Sequence, residues 1–200
     1  MSTATRTATR ERLLAGLAEC LATRSLQATT VSDVVRAAGT SKRSFYAHFA
    51  DRDDCFLALY DEATEQISIA VSRSVESGSD DQVDTADTRI ERGVATFLEL
   101  LSENAPLTRA HLIDIYSFGE RGLLARRTMI TELSHALTGL LAESRAGGAT
   151  DWAPDSWELA ALMGAIHEVL LAAVEAGETD LTGYHAQITD LVHRFARSAG

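Results

Sequence analysis

Apolar residues recur every three to four positions along most of the chain, which is the spacing of one face of an α-helix. In the first such stretch, about residues 10–24, one face carries Leu13, Leu14, Leu17, Cys20 and Leu21. Residues 1–9 are small, polar and basic, and we expect them to form a mobile arm. No stretch reads convincingly as a strand, so the pattern predicts an all-α fold.

Two short helices and one long helix are predicted next. Thr30 to Asp33 forms the pattern of a capping box, in which each residue satisfies a backbone N–H of the other. Gly39 ends this second helix, because glycine adopts a left-handed conformation without steric cost. A third helix follows to about His48, and Asp51 then begins a long fourth helix.

The remaining helices are predicted at about residues 84–104, 106–117, 120–145, 155–176 and 181–198. Loops are predicted at residues 77–81 and 147–148, and a second capping box joins Asp155 to Glu158. About nine helices result. We expect a three-helix head over residues 1–50 and a helical bundle over residues 51–200.

Charge is divided unevenly between these parts. The net charge of the chain is −11, but residues 1–50 carry seven Lys and Arg against three Asp and Glu. The head is therefore at +4, and residues 51–200 are at −15. This asymmetry indicates a basic contact surface on an acidic body. The polar N-terminus and the absence of any apolar run long enough for a membrane span predict a cytoplasmic protein with no membrane partner.

The second and third helices, with a glycine turn between them, have the layout of a helix-turn-helix, whose second helix enters the major groove of DNA. Lys42 and Arg43 are donors suited to guanine edges or phosphates, and the neighbouring hydroxyls suit phosphate oxygens. A lone basic helix is more often only a solvated face, but here the cap, the turn and the charge asymmetry coincide. The predicted DNA-binding residues are Thr30, Thr40, Ser41, Lys42, Arg43, Ser44, Tyr46, His48 and Arg52.

The sequence from Thr29 to Phe49, followed by Ala50-Asp51-Arg52-Asp53-Asp54, resembles the head of the TetR (tetracycline repressor) family. The resemblance covers about residues 10–60. It implies that Thr40 through Ser44 read bases and that Tyr46, His48 and Arg52 touch the DNA backbone. Arg52 stands where the family commonly has lysine, and Cys55 where it usually has leucine. The resemblance also implies a repressor that a small molecule releases from its operator.

The body shows no pattern of an enzyme, a cofactor site or a metal site, because its histidines have no metal-ligand spacing and catalytic serine motifs are absent. Two interpretations stay open: a sensor that encloses a small-molecule effector, or a module used only for dimerisation or protein docking. The sensor would use a mixture of aromatic, flexible and polar side chains, although each such side chain is more often plain core than a ligand contact. These predicted ligand residues are Phe97, Leu101, His111, Ile115, Tyr116, Phe118, Met129 and His167.

The last two predicted helices are candidates for a two-fold dimer interface. One carries small residues that allow close approach, and the other carries an apolar stripe. A homodimer would read a palindromic double-stranded DNA operator with heads about 34–36 Å apart. Alternatively, the stripe packs only on its own subunit. The predicted interface residues are Ala160, Ala161, Gly164, Tyr184, Ile188, Leu191, Val192 and Phe195.

Overall fold

The computed structural model describes residues 3–76, 85–143 and 156–198, whose backbone forms helices and short connections. The α-helices described are α1 (Thr3–Leu21), α2 (Val31–Ala37), α3 (Lys42–Tyr46), α4 (Arg52–Glu76), α5 (Ala86–Glu103), α6 (Ala105–Leu112), α7 (Gly119–Glu143), α8 (Ser156–Glu175) and α9 (His185–Ser198). The predicted all-α fold, with an N-terminal helix-turn-helix and a helical body, is confirmed. The predicted loops at residues 77–81 and 147–148 and the capping box at Asp155 lie outside the described residues.

The first helix is longer than predicted. α1 begins at Thr3, so the prediction of a mobile arm is wrong from Thr3 onward. The segment before Arg10 contains no glycine or proline, and its alanines and arginines are compatible with a helix. Arg10 is also held in place, because its guanidinium pairs with Glu62 at 3.3 Å.

Two helices predicted as continuous are each divided. The predicted helix at 106–117 consists of α6 and a separate 3-10 helix, Asp114–Phe118, in which the Ser117 hydroxyl donates to the Asp114 carbonyl at 2.7 Å. The predicted helix at 181–198 begins instead with a 3-10 turn, Thr182–Tyr184, before α9. Asp180 accepts a hydrogen bond from the backbone N–H of Thr182 at 2.9 Å. Such side-chain bonds offer the backbone an alternative to the α-helical ladder.

The chain divides into two compact units. The first unit comprises Met1–Ala63 and Pro106–Ala125, and the second comprises Thr64–Ala105 and Arg126–Gly200. α4 and α7 therefore each contribute residues to both units. The division at residue 50 into a DNA-binding and a ligand-binding part concerns function, and it stays a prediction.

Each unit has its own apolar core. In the first unit, α1 packs against α2 and α3, and the buried side chains include Leu13, Leu17, Val34, Phe45 and Phe56. In the second unit, α9 packs against α5 and α8. A polar bond also closes this second core, since the backbone N–H of Leu181 donates to the Ser102 hydroxyl at 2.8 Å.

Candidate nucleic-acid interface and ligand cavity

The turn between α2 and α3 is built by backbone geometry around Gly39. Gly39 has a φ of 59°, a left-handed conformation that glycine adopts more readily than other residues. Its N–H donates to the Arg36 carbonyl at 3.2 Å, and the Thr40 N–H donates to the Val35 carbonyl at 2.9 Å. These two bonds are those of a Schellman motif. The predicted glycine stop is therefore present, and α3 starts three residues after it.

The start of α2 is the predicted capping box. The Thr30 side chain accepts from the Asp33 backbone N–H at 3.3 Å, and the Asp33 carboxylate accepts from the Thr30 N–H at 3.0 Å. The Thr30 hydroxyl also donates to Asp33 at 2.6 Å. These hydrogen bonds, led by that of the Thr30 side chain, lower the pKa of the Asp33 carboxyl. Thr30 is exposed, but in this structure its hydroxyl already serves α2; its contact with DNA stays a prediction.

α3 presents two cations that no acidic side chain neutralises within the described part of the chain. Lys42 and Arg43 are both exposed. By contrast, Arg24 and Arg36 both pair with Asp33. Ser41 caps α3, because its hydroxyl accepts from the backbone N–H of Ser44 at 3.1 Å. The cap fixes the first turn of α3, and this turn carries the unpaired positive charges.

Aromatic residues anchor α3 from its other side. Phe45 is fully buried and Phe49 nearly so, with ring centroids 5.6 Å apart. Tyr46 lies edge-on to Phe45 at 5.5 Å and leaves 58% of its surface exposed, while His48 is half-buried. Tyr46 is thus available for a partner, and Thr40, like His48, is only partly accessible. α3 therefore has a fixed apolar side and an accessible polar side.

Arg52, which the sequence predicted to contact DNA, makes four hydrogen bonds within its own chain. Its Nη1 donates to the Leu26 carbonyl at 2.8 Å and to the Thr29 carbonyl at 3.3 Å. Its Nε and Nη2 both donate to Asp53 Oδ1, at 3.0 and 2.6 Å. The guanidinium therefore joins the start of α4 to the segment before α2. The predicted contact of Arg52 with the DNA backbone stays a prediction.

One residue that contacts the turn was missed by the sequence analysis. Arg12 of α1 donates from Nη2 to the carbonyl oxygens of Ala38 and Gly39, at 2.7 Å each. One turn further along α1, a Cβ on Gly16 would lie 2.8 Å from the Ala38 nitrogen and 2.9 Å from the Val34 oxygen. A glycine inside a helical pattern signals such a close backbone approach. That signal at Gly16 pointed to this face of α1.

The eight predicted ligand residues do not all belong to one unit. His111, Ile115, Tyr116 and Phe118 lie in the first unit, and Phe97, Leu101, Met129 and His167 lie in the second. In the first unit, the His111 ring stacks on Tyr60 at 4.5 Å, and Phe118 stacks on Phe56 at 5.0 Å. Burial lowers the pKa of His111, although its hydrogen bonds to the carbonyls of Leu107 and Tyr60 oppose this shift. Tyr116 is instead 48% exposed.

The second unit contains an apolar cavity of about 60 Å³. Among the predicted ligand residues, Phe97 lines it. Leu101 is buried outside its wall, and Met129 is half-buried. His167 is also buried outside the wall, and its pKa is lowered by burial and, to a lesser degree, by Arg126. The wall comprises Val71, Ile90, Gly93, Val94, Phe97, Leu133, Ala136, Leu137, Met163, Ile166, Ile188 and Val192.

The predicted interface residues fall into two groups. Ile188 and Val192 are each 2% exposed and line the cavity, so they have little surface left for a second copy. The others are partly or well exposed, namely Ala160, Ala161, Gly164, Tyr184, Leu191 and Phe195. The prediction that no apolar run is long enough for a membrane span is wrong, because the stretch Trp157–Glu175 of α8 meets that requirement by length and composition. Core helices of soluble proteins also pass this test. Only 44% of that stretch is buried within the chain.

The described residues contain no cluster of three or more potential metal ligands. Cys20 and Cys55 are buried free thiols, and burial raises the pKa of Cys55 to about 12. A thiol with such a high pKa is a poor nucleophile at neutral pH. The candidate binding features of the described residues are therefore the exposed polar side of α3 and the apolar cavity of the second unit.

Comparison with known proteins places this architecture. The family described as bacterial regulatory proteins, tetR family, matches residues 13–59. The transcriptional regulator EthR of Mycobacterium tuberculosis is 25% identical over 186 residues, which are 93% of this chain and 84% of EthR.

Solved structures share the fold along nearly the whole chain. The regulator FadR of Bacillus subtilis, solved with stearoyl-CoA, has a TM-score of 0.73 at 16% identity. The superposition covers 91% of this chain and 96% of the FadR chain. The repressor AlkX of Dietzia sp. has a TM-score of 0.61 at 18% identity and covers 95% of this chain and 96% of its own.

The matched segment contains the capped α2, the Gly39 turn and the exposed cations of α3, and the full-length relative is a regulator rather than an enzyme. Residues 13–59 are a helix-turn-helix head of the tetR family, and the chain is a DNA-binding transcriptional regulator.

Proposed function

We propose that this chain is a homodimeric repressor that binds a palindromic operator in the cytoplasm and is released by a small, largely apolar molecule. The observation that carries the ligand part is the cavity in the second unit, whose twelve lining residues are all apolar or glycine. The observation that carries the DNA part is α3, with Lys42 and Arg43 exposed and unneutralised among the described residues.

The DNA-binding set comprises two kinds of contact. Lys42 and Arg43 suit base edges in the major groove, because a bidentate pair with guanine discriminates by roughly 1–3 kcal/mol. Thr40, Ser41, Ser44, Tyr46 and His48 suit phosphates or nearby bases, which would position α3. Selection of bound fragments from a random DNA library tests this set. A palindrome with half-sites about one helical turn apart is expected.

The ligand class follows from the wall of the cavity. A wall without charged groups favours an aliphatic or aromatic body over a polyanion, because an unpaired charge is costly to bury. FadR of Bacillus subtilis was solved with stearoyl-CoA, and AlkX of Dietzia sp. is implicated in the biodegradation of n-alkanes. Stearoyl-CoA carries a long acyl chain and n-alkanes are hydrocarbons, and we propose a chain-like hydrocarbon group as the part of the effector that enters the cavity.

The small volume of the cavity favours a second candidate function for the body, namely dimerisation or protein docking without an effector. Its volume of about 60 Å³ is below the roughly 300 Å³ at which ligand pockets usually begin. An effector must therefore widen it, by moving side chains such as Phe97 and Met163. If the cavity does not open, the body is a module for dimerisation or protein docking alone.

Titration with medium-chain fatty acids and n-alkanes separates the two candidates. The sensor is expected to gain thermal stability with these probes and to lose operator affinity by roughly 5- to 150-fold, the usual range of allosteric coupling. Ala136→Leu, which fills the cavity, should abolish both effects. Ala95→Leu, on α5 but outside the cavity wall, is the matched control. Stabilisation without any change in operator affinity would favour the docking module.

The dimer is proposed on the exposed faces of α8 and α9. α8 leaves Trp157 68% exposed and Ala161 exposed, and the small residues Ala160 and Gly164 would allow a second helix to approach closely. Analytical ultracentrifugation of Ala161→Arg tests this face, since a charge there is exposed in the monomer and buried in the dimer. An undisturbed dimer would move the interface elsewhere.

A further inference from the structure

Two backbone carbonyls at the end of α2 accept hydrogen bonds from a different helix, α1. The Schellman bonds of the turn use the carbonyls of Val35 and Arg36. The carbonyls of Ala38 and Gly39 follow two and three residues after that of Arg36, in the region where helix ends leave carbonyls without a partner inside the helix. Arg12 of α1 donates to both from a single atom, Nη2, at 2.7 Å each.

The same face of α1 touches the same end of α2 at a second point. Gly16 lies one helical turn after Arg12, and a Cβ there would be 3.0 Å from the Ala38 Cβ and 2.8 Å from its nitrogen. The backbones of the two helices thus meet without a side chain between them. Arg12 and Gly16 together hold the point at which α2 ends and the chain turns toward α3.

We propose that Arg12 is a positioning residue for DNA reading: it fixes the Ala38–Gly39 turn, and thereby the direction in which α3 presents Lys42 and Arg43, without contacting DNA itself. The turn from α2 to α3 is short, so a change in the peptide planes at Ala38 or Gly39 is transmitted directly to the first turn of α3. Base contacts tolerate little misalignment, because their hydrogen bonds weaken steeply with angle.

Arg12 is an exposed arginine on a basic head, and the experiment must distinguish positioning from a phosphate contact. The measurements are the affinity for the selected operator, the affinity for random duplex DNA, and the dependence of both on salt. Removing one phosphate contact lowers the slope of log K against log salt by about one and weakens all sequences alike. Removing a positioning group lowers operator affinity selectively and leaves the slope unchanged.

The variants are Arg12→Ala, Arg12→Lys and, as the matched control, Arg10→Ala. Arg10→Ala removes the same charge from the same helix, together with contacts to Glu62 and to the ring of Phe49, neither of which involves the turn at Ala38 and Gly39. For Arg12→Ala we expect operator affinity to fall roughly 10-fold, the loss of about one good base contact, with random-DNA affinity and salt slope retained. Arg12→Lys should recover most of the loss, and Arg10→Ala should keep the ratio of specific to random binding.

A second measurement needs no DNA. The backbone amide chemical shifts of Gly39 to Ser44 should move in Arg12→Ala and not in Arg10→Ala. The proposal is overturned by unchanged operator affinity in Arg12→Ala, by a slope lowered by about one with an unchanged specificity ratio, or by an affinity loss that only follows the fraction unfolded in a melting curve.

Discussion

The proposed DNA-reading segment, residues 30–49, and the cavity of the second unit are built in opposite ways. The first rests largely on bonds between residues three to five positions apart, such as Thr30 with Asp33, Ser41 with Ser44, and the Gly39 turn. The second rests on side chains from five helices, from Val71 on α4 to Val192 on α9. A surface that reads DNA needs fixed local geometry, whereas an effector cavity needs walls that can separate.

The largest effect is expected where the local segment meets DNA. We expect the double variant Lys42→Ala/Arg43→Ala to lose operator affinity by roughly 100-fold or more, because each lost base contact costs about 1–3 kcal/mol. Fluorescence anisotropy with labelled operator measures this loss. Arg36→Ala is the control, because its guanidinium pairs with Asp33 and 72% of its side chain is exposed. Equal losses in both variants would mean that general charge, and not α3, carries the binding.

The next effect concerns how tightly the first unit is packed. Gly16→Ala would place a Cβ within 3.0 Å of backbone atoms of α2. Because backbone atoms cannot rotate away as a side chain can, α1 and α2 would have to move apart. We expect a loss of about 1–3 kcal/mol in the free energy of unfolding, as for other overpacked cores. Urea denaturation measures it. Gly183→Ala is the matched control, since a Cβ there meets nothing within 4 Å; a similar loss in both would refute the close approach.

The cavity should tolerate an enlarged side chain, unlike the tightly packed contact at Gly16. Val94 lines the cavity, so Val94→Ile adds one methylene group where space exists. Burial of one methylene contributes about 0.8 kcal/mol, and we expect a stabilisation of up to that size. The corresponding change at Val34, which is fully buried in the first unit and outside this cavity, is expected to destabilise. If Val94→Ile also destabilises, the cavity walls are as rigid as the DNA-reading segment and the contrast between the regions fails.

The smallest effect is a dependence on pH. Burial holds the pKa of His111 below its ordinary value of 6.5. Above that pH the ring is neutral in the folded and unfolded states alike, so it has no effect on stability. As the pH falls below 6.5, the unfolded chain takes up the proton more readily, and the folded state loses stability.

Melting temperatures between pH 7.5 and 5.5 measure this loss. His111→Phe keeps an aromatic ring beside Tyr60 and Phe56, and it should reduce the acid-induced decrease. It should not remove it, because burial also lowers the pKa of His167. His135→Phe is the control, since His135 is exposed and meets water in both states. An unchanged decrease in His111→Phe would contradict the burial argument.

The sequence predicted the locally bonded segment, residues 30–49, better than it predicted the cavity, which distant helices form together. The capping box at Thr30, the turn at Gly39 and the exposed Lys42 and Arg43 depend on residues close in sequence, and each is present as predicted. The bonds from Arg12 to Ala38 and Gly39 span 26 and 27 positions, and periodicity contains no information on such pairs. Gly16 indicated which face of α1 makes a close contact, but it did not indicate that the contact is with the end of α2.

The cavity was the least predictable part. Of its twelve lining residues, the sequence pattern predicted only Phe97 as a ligand residue, and it placed Ile188 and Val192 in a dimer interface. An apolar stripe on a helix shows that the helix is covered, but not whether its own chain or a second copy covers it. The choice depends on how α9 is rotated against α5 and α8, which only tertiary packing determines.

The position of Ile188 and Val192 in the cavity wall matters for anyone who wishes to retune this regulator. α9 contributes these two residues to the cavity, and its neighbouring positions include Leu191, which is only half-buried. If α9 forms part of the proposed dimer interface, a mutant library on α9 that is screened for a new inducer will also return variants with altered assembly. A library on Val94 and Phe97 of α5 alters the cavity wall at positions outside the predicted dimer interface, and it is the better starting point for a biosensor.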